Sequence, residues 1–82
     1  MRIEINEHIV SDSEICGGTP TFNGTRIMVW QILELLAVGM PIGEIKNYYV
    51  VELTEEQINS ALVYASTLAK GDNYARTKIS AR

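Results

Sequence analysis

Apolar positions dominate the stretch from Val29 to Val38, where Gln31 and Glu34 are the only polar residues. Two polar side chains three positions apart occupy one narrow stripe of a helix, so the remaining helix surface is apolar. A helix of this kind must be covered from several directions. The pattern therefore predicts a central helix that packs against the other helices of the chain or against a second copy.

Two further helices are predicted after the first one. Gly39 suits the left-handed conformation that ends a helix, and Pro41 suits the first turn of the next helix, which we expect to run to Tyr49. The third helix is expected to begin at Thr54, because Thr54 and Gln57 have the spacing of a capping box.

Short β elements are predicted before the helices. Ile3 and Ile5 alternate with charged residues, which is typical of a half-buried strand. Little else in the chain could pair with this strand, so it is a candidate for pairing across a dimer. Asn23 and Gly24 lie between two short runs of strand-forming residues, and this dipeptide is a strong signal for a β-hairpin.

These elements predict a mostly α fold: a three-helix, helix-turn-helix (homeodomain-like) domain with a short N-terminal strand and β-hairpin. We expect an N-terminal strand and hairpin segment (1–28), a three-helix domain (29–70) and a basic flexible tail (71–82), with Gly71 ending the third helix. The residues expected in the core or at a dimer interface are Ile3, Ile5, Trp30, Leu33 and Leu36.

Charge is unevenly distributed along the chain, although the net charge is only −3. Residues 70–82 carry four basic and one acidic residue, whereas residues 1–69 carry three basic and nine acidic ones. An acidic folded part and a basic tail suggest two separate tasks. Without a signal-peptide pattern or an apolar run long enough to span a bilayer, a cytoplasmic location is expected.

The residue types that the chain contains argue against an enzyme. One cysteine and one histidine provide no set of metal ligands with the usual spacing, so no metal is expected. The glycines lack the spacing of a phosphate-binding loop, and no cofactor is expected. No serine has a histidine plausibly near it.

Four motifs in order resemble a known family. They are Ile15-Cys16-Gly17-Gly18-Thr19-Pro20, Gly24-Thr25-Arg26-Ile27-Met28-Val29-Trp30, Leu36-Ala37-Val38-Gly39-Met40, and Leu53-Thr54-Glu55-Glu56-Gln57-Ile58 followed by Ala61-Leu62-Val63-Tyr64-Ala65. Together they are similar to the family called domain of unknown function 433 (DUF433). The chain departs from the usual family pattern at Met28, where proline is favoured, and at Val50-Val51, where Tyr-Pro is common.

The resemblance implies a function that composition and spacing do not. The family is described as homeodomain-like and VapB-antitoxin-like, often encoded beside a toxin with a PIN-like nuclease domain. A nuclease of that kind has an active site of carboxylates, with which a guanidinium can pair in place of metal. The residues expected to bind such a partner are Tyr74, Arg76, Lys78 and Ile79 of the tail, and Arg26 of the folded part.

Two other functions stay open at this point. One is a stand-alone helix-turn-helix regulator that offers Gln57, Asn59 and Ser60 to operator DNA, although Glu55 and Glu56 beside them would repel phosphate. The other is a structural interaction module with no toxin. The best-supported interpretation is a small homodimeric, antitoxin-like protein that neutralises a nuclease, with repression of its own operon as an additional role that stays open.

Overall fold

The computed structural model describes the backbone of residues 1–80 and the side chains of residues 1–71. The side chains of Tyr74, Arg76, Lys78 and Ile79 therefore lie outside the described residues. The elements are, in chain order, β1 (Arg2–Glu4), β2 (Ile9–Asp12), a 3-10 turn (Cys16–Gly18), β3 (Thr21–Phe22), α1 (Val29–Ala37), α2 (Ile42–Ile45) and α3 (Glu55–Ser80).

The three strands form one antiparallel sheet with β2 in the middle. The chain reverses between β1 and β2 because the Asn6 side-chain oxygen accepts the backbone N–H groups of His8 and Ile9, at 2.8 and 3.0 Å. An asparagine that bonds its own backbone a few residues on is a common turn device. The expectation that the first strand lacks a partner within the chain is therefore wrong.

The predicted β-hairpin is confirmed. The Phe22 N–H donates to the Ile27 carbonyl at 3.1 Å, and a further bridge joins Thr21 to Met28. Gly24 has a φ of +82°, as the third residue of a type II turn requires. The turn returns the chain to the edge of β3 and leads directly into α1.

Both ends of the central helix and the start of the third are as predicted. Gly39, with a φ of +92°, follows the last turn of α1. The Thr54 hydroxyl accepts the Gln57 N–H at 3.1 Å, and the Gln57 side-chain oxygen accepts the Thr54 N–H at 2.8 Å. Gly71 has non-helical angles within α3. Among the described residues, no helix combines the length and the hydrophobicity needed to cross a membrane.

The predicted fold class is wrong: the chain combines helices with a three-stranded sheet and is not a three-helix, homeodomain-like helix-turn-helix domain. The predicted helix from Pro41 to Tyr49 is reduced to one turn, Ile42–Ile45. Gly43 weakens this helix, since glycine costs about 1 kcal/mol relative to alanine in a helix. The chain then turns instead, and the Leu53 N–H donates to the Lys46 carbonyl at 3.0 Å.

The core lies between the sheet and the three helices. Only Val29 and Ile32 of α1 are buried, while Trp30 is 48% exposed. Ile3 is 52% exposed on β1, and neither it nor Trp30 belongs to the core. Three other residues expected there, Ile5, Leu33 and Leu36, pack against its margin. The buried cluster consists of Ile9, Phe22, Ile27, Val29, Ile32, Ile45, Leu53, Ile58 and Ala61.

Thr21 supplies a test of this packing. Its side chain is fully buried, and its hydroxyl has no hydrogen-bond partner among the described residues. A buried polar group without a partner costs free energy, and valine has nearly the same shape. We expect Thr21→Val to raise the free energy of unfolding by about 1 kcal/mol, measured by urea denaturation followed by circular dichroism.

Thr25→Val is the matched control, with the opposite sign. The Thr25 hydroxyl donates to the Phe22 carbonyl at 2.9 Å and accepts the Ile27 N–H at 3.0 Å. Losing both bonds should lower the free energy of unfolding by about 1 to 2 kcal/mol. A stability loss in Thr21→Val as large as that in Thr25→Val would show that the Thr21 hydroxyl is bonded.

Candidate protein-interaction groove

An open groove of about 810 Å³ lies beside the β-hairpin. We call it the Arg26 groove, because Arg26 is the one charged residue in its lining. Most of the other lining side chains are apolar. The full lining is Ile15, Gly24, Thr25, Arg26, Ile27, Met28, Gln31, Tyr49, Val50 and Val51.

The hairpin holds the backbone on either side of Arg26 in place. Thr25 is bonded to Phe22 on one side and to Ile27 on the other, through its hydroxyl. The Cys16 thiol lies 3.6 Å from the Arg26 carbonyl oxygen and donates a weak hydrogen bond to it. The main chain at Arg26 is thus fixed, while its side chain is exposed to solvent.

The opposite wall comes from the turn after α2. Val50 is fully exposed and Val51 is 51% exposed, which is unusual for two consecutive valines. The rings of Tyr48 and Tyr49 stack edge to face at 5.1 Å. Burial raises the pKa of the Tyr49 phenol above its ordinary value of 10.0, and the neighbouring Tyr48 adds to this increase. Tyr49 is therefore the partly buried base of an otherwise exposed apolar wall.

Arg26 takes part in no ion pair with another described side chain. The ion pairs within that part of the chain are Arg2 with Glu4 and, when His8 is protonated, His8 with Glu7, both at 3.9 Å and both away from the groove. A guanidinium beside apolar and aromatic side chains is typical of the centre of protein–protein interfaces. The chemistry that this groove suits best is an apolar segment that carries a carboxylate.

The residues proposed to read DNA are mostly engaged within the fold. The Gln57 side chain caps α3. Ser60 is 9% exposed, and its hydroxyl donates to the Gln57 carbonyl at 2.6 Å. Asn59 is exposed, but it lines a small cleft together with Glu7 and Glu56. Two carboxylates beside the one available amide disfavour contact with phosphate.

Comparison with known families decides where the chain belongs. A family model described as "Protein of unknown function (DUF433)" matches residues 9–65. The chain belongs to the DUF433 family. Every residue that lines the Arg26 groove falls within the part matched by the DUF433 model. No curated protein and no solved structure matches the chain.

The groove was only partly foreseeable from the DUF433 sequence. The sequence identifies Arg26 as a candidate contact, whereas it predicts Tyr49 at the end of the second helix and Val50 and Val51 in the link after it. The available signal was four consecutive aromatic and β-branched residues, from Tyr48 to Val51, just before a helix cap. Such a run in a connecting segment indicates either burial or a contact surface.

The ionisation of Tyr49 tests the groove geometry. Because burial disfavours the phenolate, we expect Tyr49 to titrate above 10.0, seen as the difference between the ultraviolet pH titrations of the wild type and Tyr49→Phe. If the wild-type titration signal that Tyr49→Phe lacks has its midpoint at or below that value, the Tyr49 phenol is solvated.

The same shift has a consequence for stability at alkaline pH. A pKa raised in the folded state stabilises the protein below the unfolded pKa, and this contribution is lost as pH rises through the folded pKa. We therefore expect the wild type to lose stability above pH 10.0 more steeply than Tyr49→Phe, measured by thermal melts across that range.

Proposed function

We propose that this DUF433 protein is an antitoxin-like binding protein that acts in the cytoplasm and neutralises a cognate PIN-like nuclease. The observation that carries the proposal is the Arg26 groove, an exposed apolar channel with a single guanidinium and no competing carboxylate in its lining. A carboxylate-rich partner surface complements this arrangement, because arginine pairs with carboxylates through two parallel hydrogen bonds.

The charge of the folded part favours a protein partner over DNA. Residues 1–71 carry four basic and nine acidic residues, a net charge of −5. DNA binding depends on neutralising phosphates with lysine and arginine. The start of α3 carries Glu55 and Glu56 in its first turn, and these negative side chains would repel the negative phosphate groups of DNA.

The C-terminal tail supplies the second contact in this proposal. Its sequence places Arg76 and Lys78 between two apolar residues, Tyr74 and Ile79. A cation from this segment can occupy the position that a divalent metal takes among the nuclease carboxylates. The groove would then provide most of the affinity, and the tail would provide the inhibition.

The residues that depart from the usual family pattern support a role of the groove in partner choice. Met28 and the Val50-Val51 pair all line the Arg26 groove. Methionine is flexible and adapts to irregular apolar surfaces, whereas two exposed valines present a rigid one. Different residues at these positions change which partner side chains fit into the groove. Each DUF433 protein can in this way be specific for its own partner.

The groove is tested by comparing two arginine substitutions. We expect Arg26→Ala to weaken binding to the purified PIN-like nuclease encoded beside this protein by roughly 30-fold or more, measured by isothermal titration calorimetry. Arg2→Ala is the control, since it also removes a guanidinium but lies on the exposed strand β1. Equal affinities for both variants and the wild type would contradict the role of the groove.

The tail is tested by deleting residues 72–82. We expect the shortened protein to fold and to bind the nuclease with reduced affinity, but no longer to inhibit cleavage of a labelled RNA. Inhibition that survives both this deletion and Arg26→Ala would contradict the proposed neutralisation. Binding without inhibition by the full-length protein would instead indicate an interaction module.

A further inference from the structure

A second apolar surface lies on the side of the molecule formed by α1 and α3. It contains a shallow cavity of about 240 Å³, and no residue of its lining is charged. We call it the Trp30–Leu68 face. Its lining consists of Thr19, Pro20, Val29, Trp30, Leu33, Tyr64 and Leu68, none of which belongs to the Arg26 groove.

The face exists because α3 is longer than the core that it covers. The stretch 55–70 spans about 24 Å, whereas α1, with nine residues, spans about 14 Å. Leu68 lies seven positions after the fully buried Ala61, and thus on the same stripe of the helix. The core-facing stripe therefore continues beyond the core, and Leu68 is left 60% exposed.

Trp30 is suited to burial at an apolar interface. Its ring is 48% exposed, and its indole N–H already donates to the sulfur of Met28 at 3.3 Å. A tryptophan usually needs a partner for this N–H when it is buried. Because the partner is internal, covering the ring would leave no unpaired donor behind.

We propose that the Trp30–Leu68 face binds the same face of a second copy, across a two-fold axis. An interface of this kind must be complementary to itself, and an uncharged apolar surface meets that condition. The described residues carry a net charge of −5, so contacts that bring the carboxylates of two copies together are disfavoured. At the Trp30–Leu68 face two copies can approach without like charges in its lining.

The size of the Trp30–Leu68 face determines how tightly two copies are expected to bind each other. Two helices side by side, each about 10 Å wide and about 24 and 14 Å long, give a footprint of about 400 Å². A stable interface of standard size needs about 800 Å² from each partner. The dimer is therefore a reversible one, with a dissociation constant in the micromolar range.

The wild-type protein provides the first measurement. Sedimentation velocity across the micromolar range should show a reversible monomer–dimer equilibrium. Trp30 is the only tryptophan, so its emission should shift to shorter wavelength over the same concentrations as the ring leaves water. A monomer throughout that range, or dimerisation with no change in Trp30 emission, would overturn the proposal.

Two substitutions on α3 locate the interface. Leu68→Glu places like charges in the interface and should raise the dissociation constant by about 30-fold or more. Val63→Glu is the matched control, since Val63 is 54% exposed on the same helix but lines the cleft beside Asn59. It should dimerise like the wild type.

Thermal melts at low concentration separate an interface effect from unfolding. Both variants change exposed side chains, so their monomers should melt cooperatively and at similar temperatures. Unchanged dimerisation of Leu68→Glu, or an equal loss in Val63→Glu, would overturn the assignment. None of these measurements involves the nuclease, so the result is independent of the proposed function.

Discussion

The structure depends on the pairing of Ile9 with Phe22, both fully buried, at the centre of the sheet. Strands of two to four residues cannot form a stable sheet by themselves, because too little apolar surface is covered. The helices supply that cover through Ile32, Ile45 and Ile58. Sheet and helices are therefore stable only together, and a loss on either side should unfold both.

The features predicted correctly from the sequence are those encoded within a few residues. The capping box at Thr54, the helix end at Gly39 and the turn at Gly24 each depend on local backbone chemistry. The fold class was wrong because β2 was missed: its direction is set by the Asn6 turn and its burial by contact with Phe22, distant in the sequence. Such tertiary contacts override local helix and strand preferences.

The Arg26 groove, too, could be predicted from the sequence only in part. Arg26 could be identified because it follows a recognisable turn, but the opposite wall at Val50 and Val51 depends on how the chain leaves α2. The apolar pattern of α1 predicts cover on several sides, yet within the described chain only Val29 and Ile32 are buried and Trp30 stays half exposed. Met28 lies between the two surfaces, since it lines the groove and its sulfur accepts the N–H of Trp30.

The edges of the small sheet limit how copies of the protein can associate. The outer edge of β3 is already occupied by residues 27–29, through the bridge from Thr21 to Met28 and the Val29 N–H bonded to the Pro20 carbonyl. The outer edge of β1 is three residues long and carries Arg2 and Glu4. Short, charged edges resist the addition of further strands. Association through the sheet into open-ended fibres is thereby discouraged, so any self-association of the described part of the chain is directed to its helices.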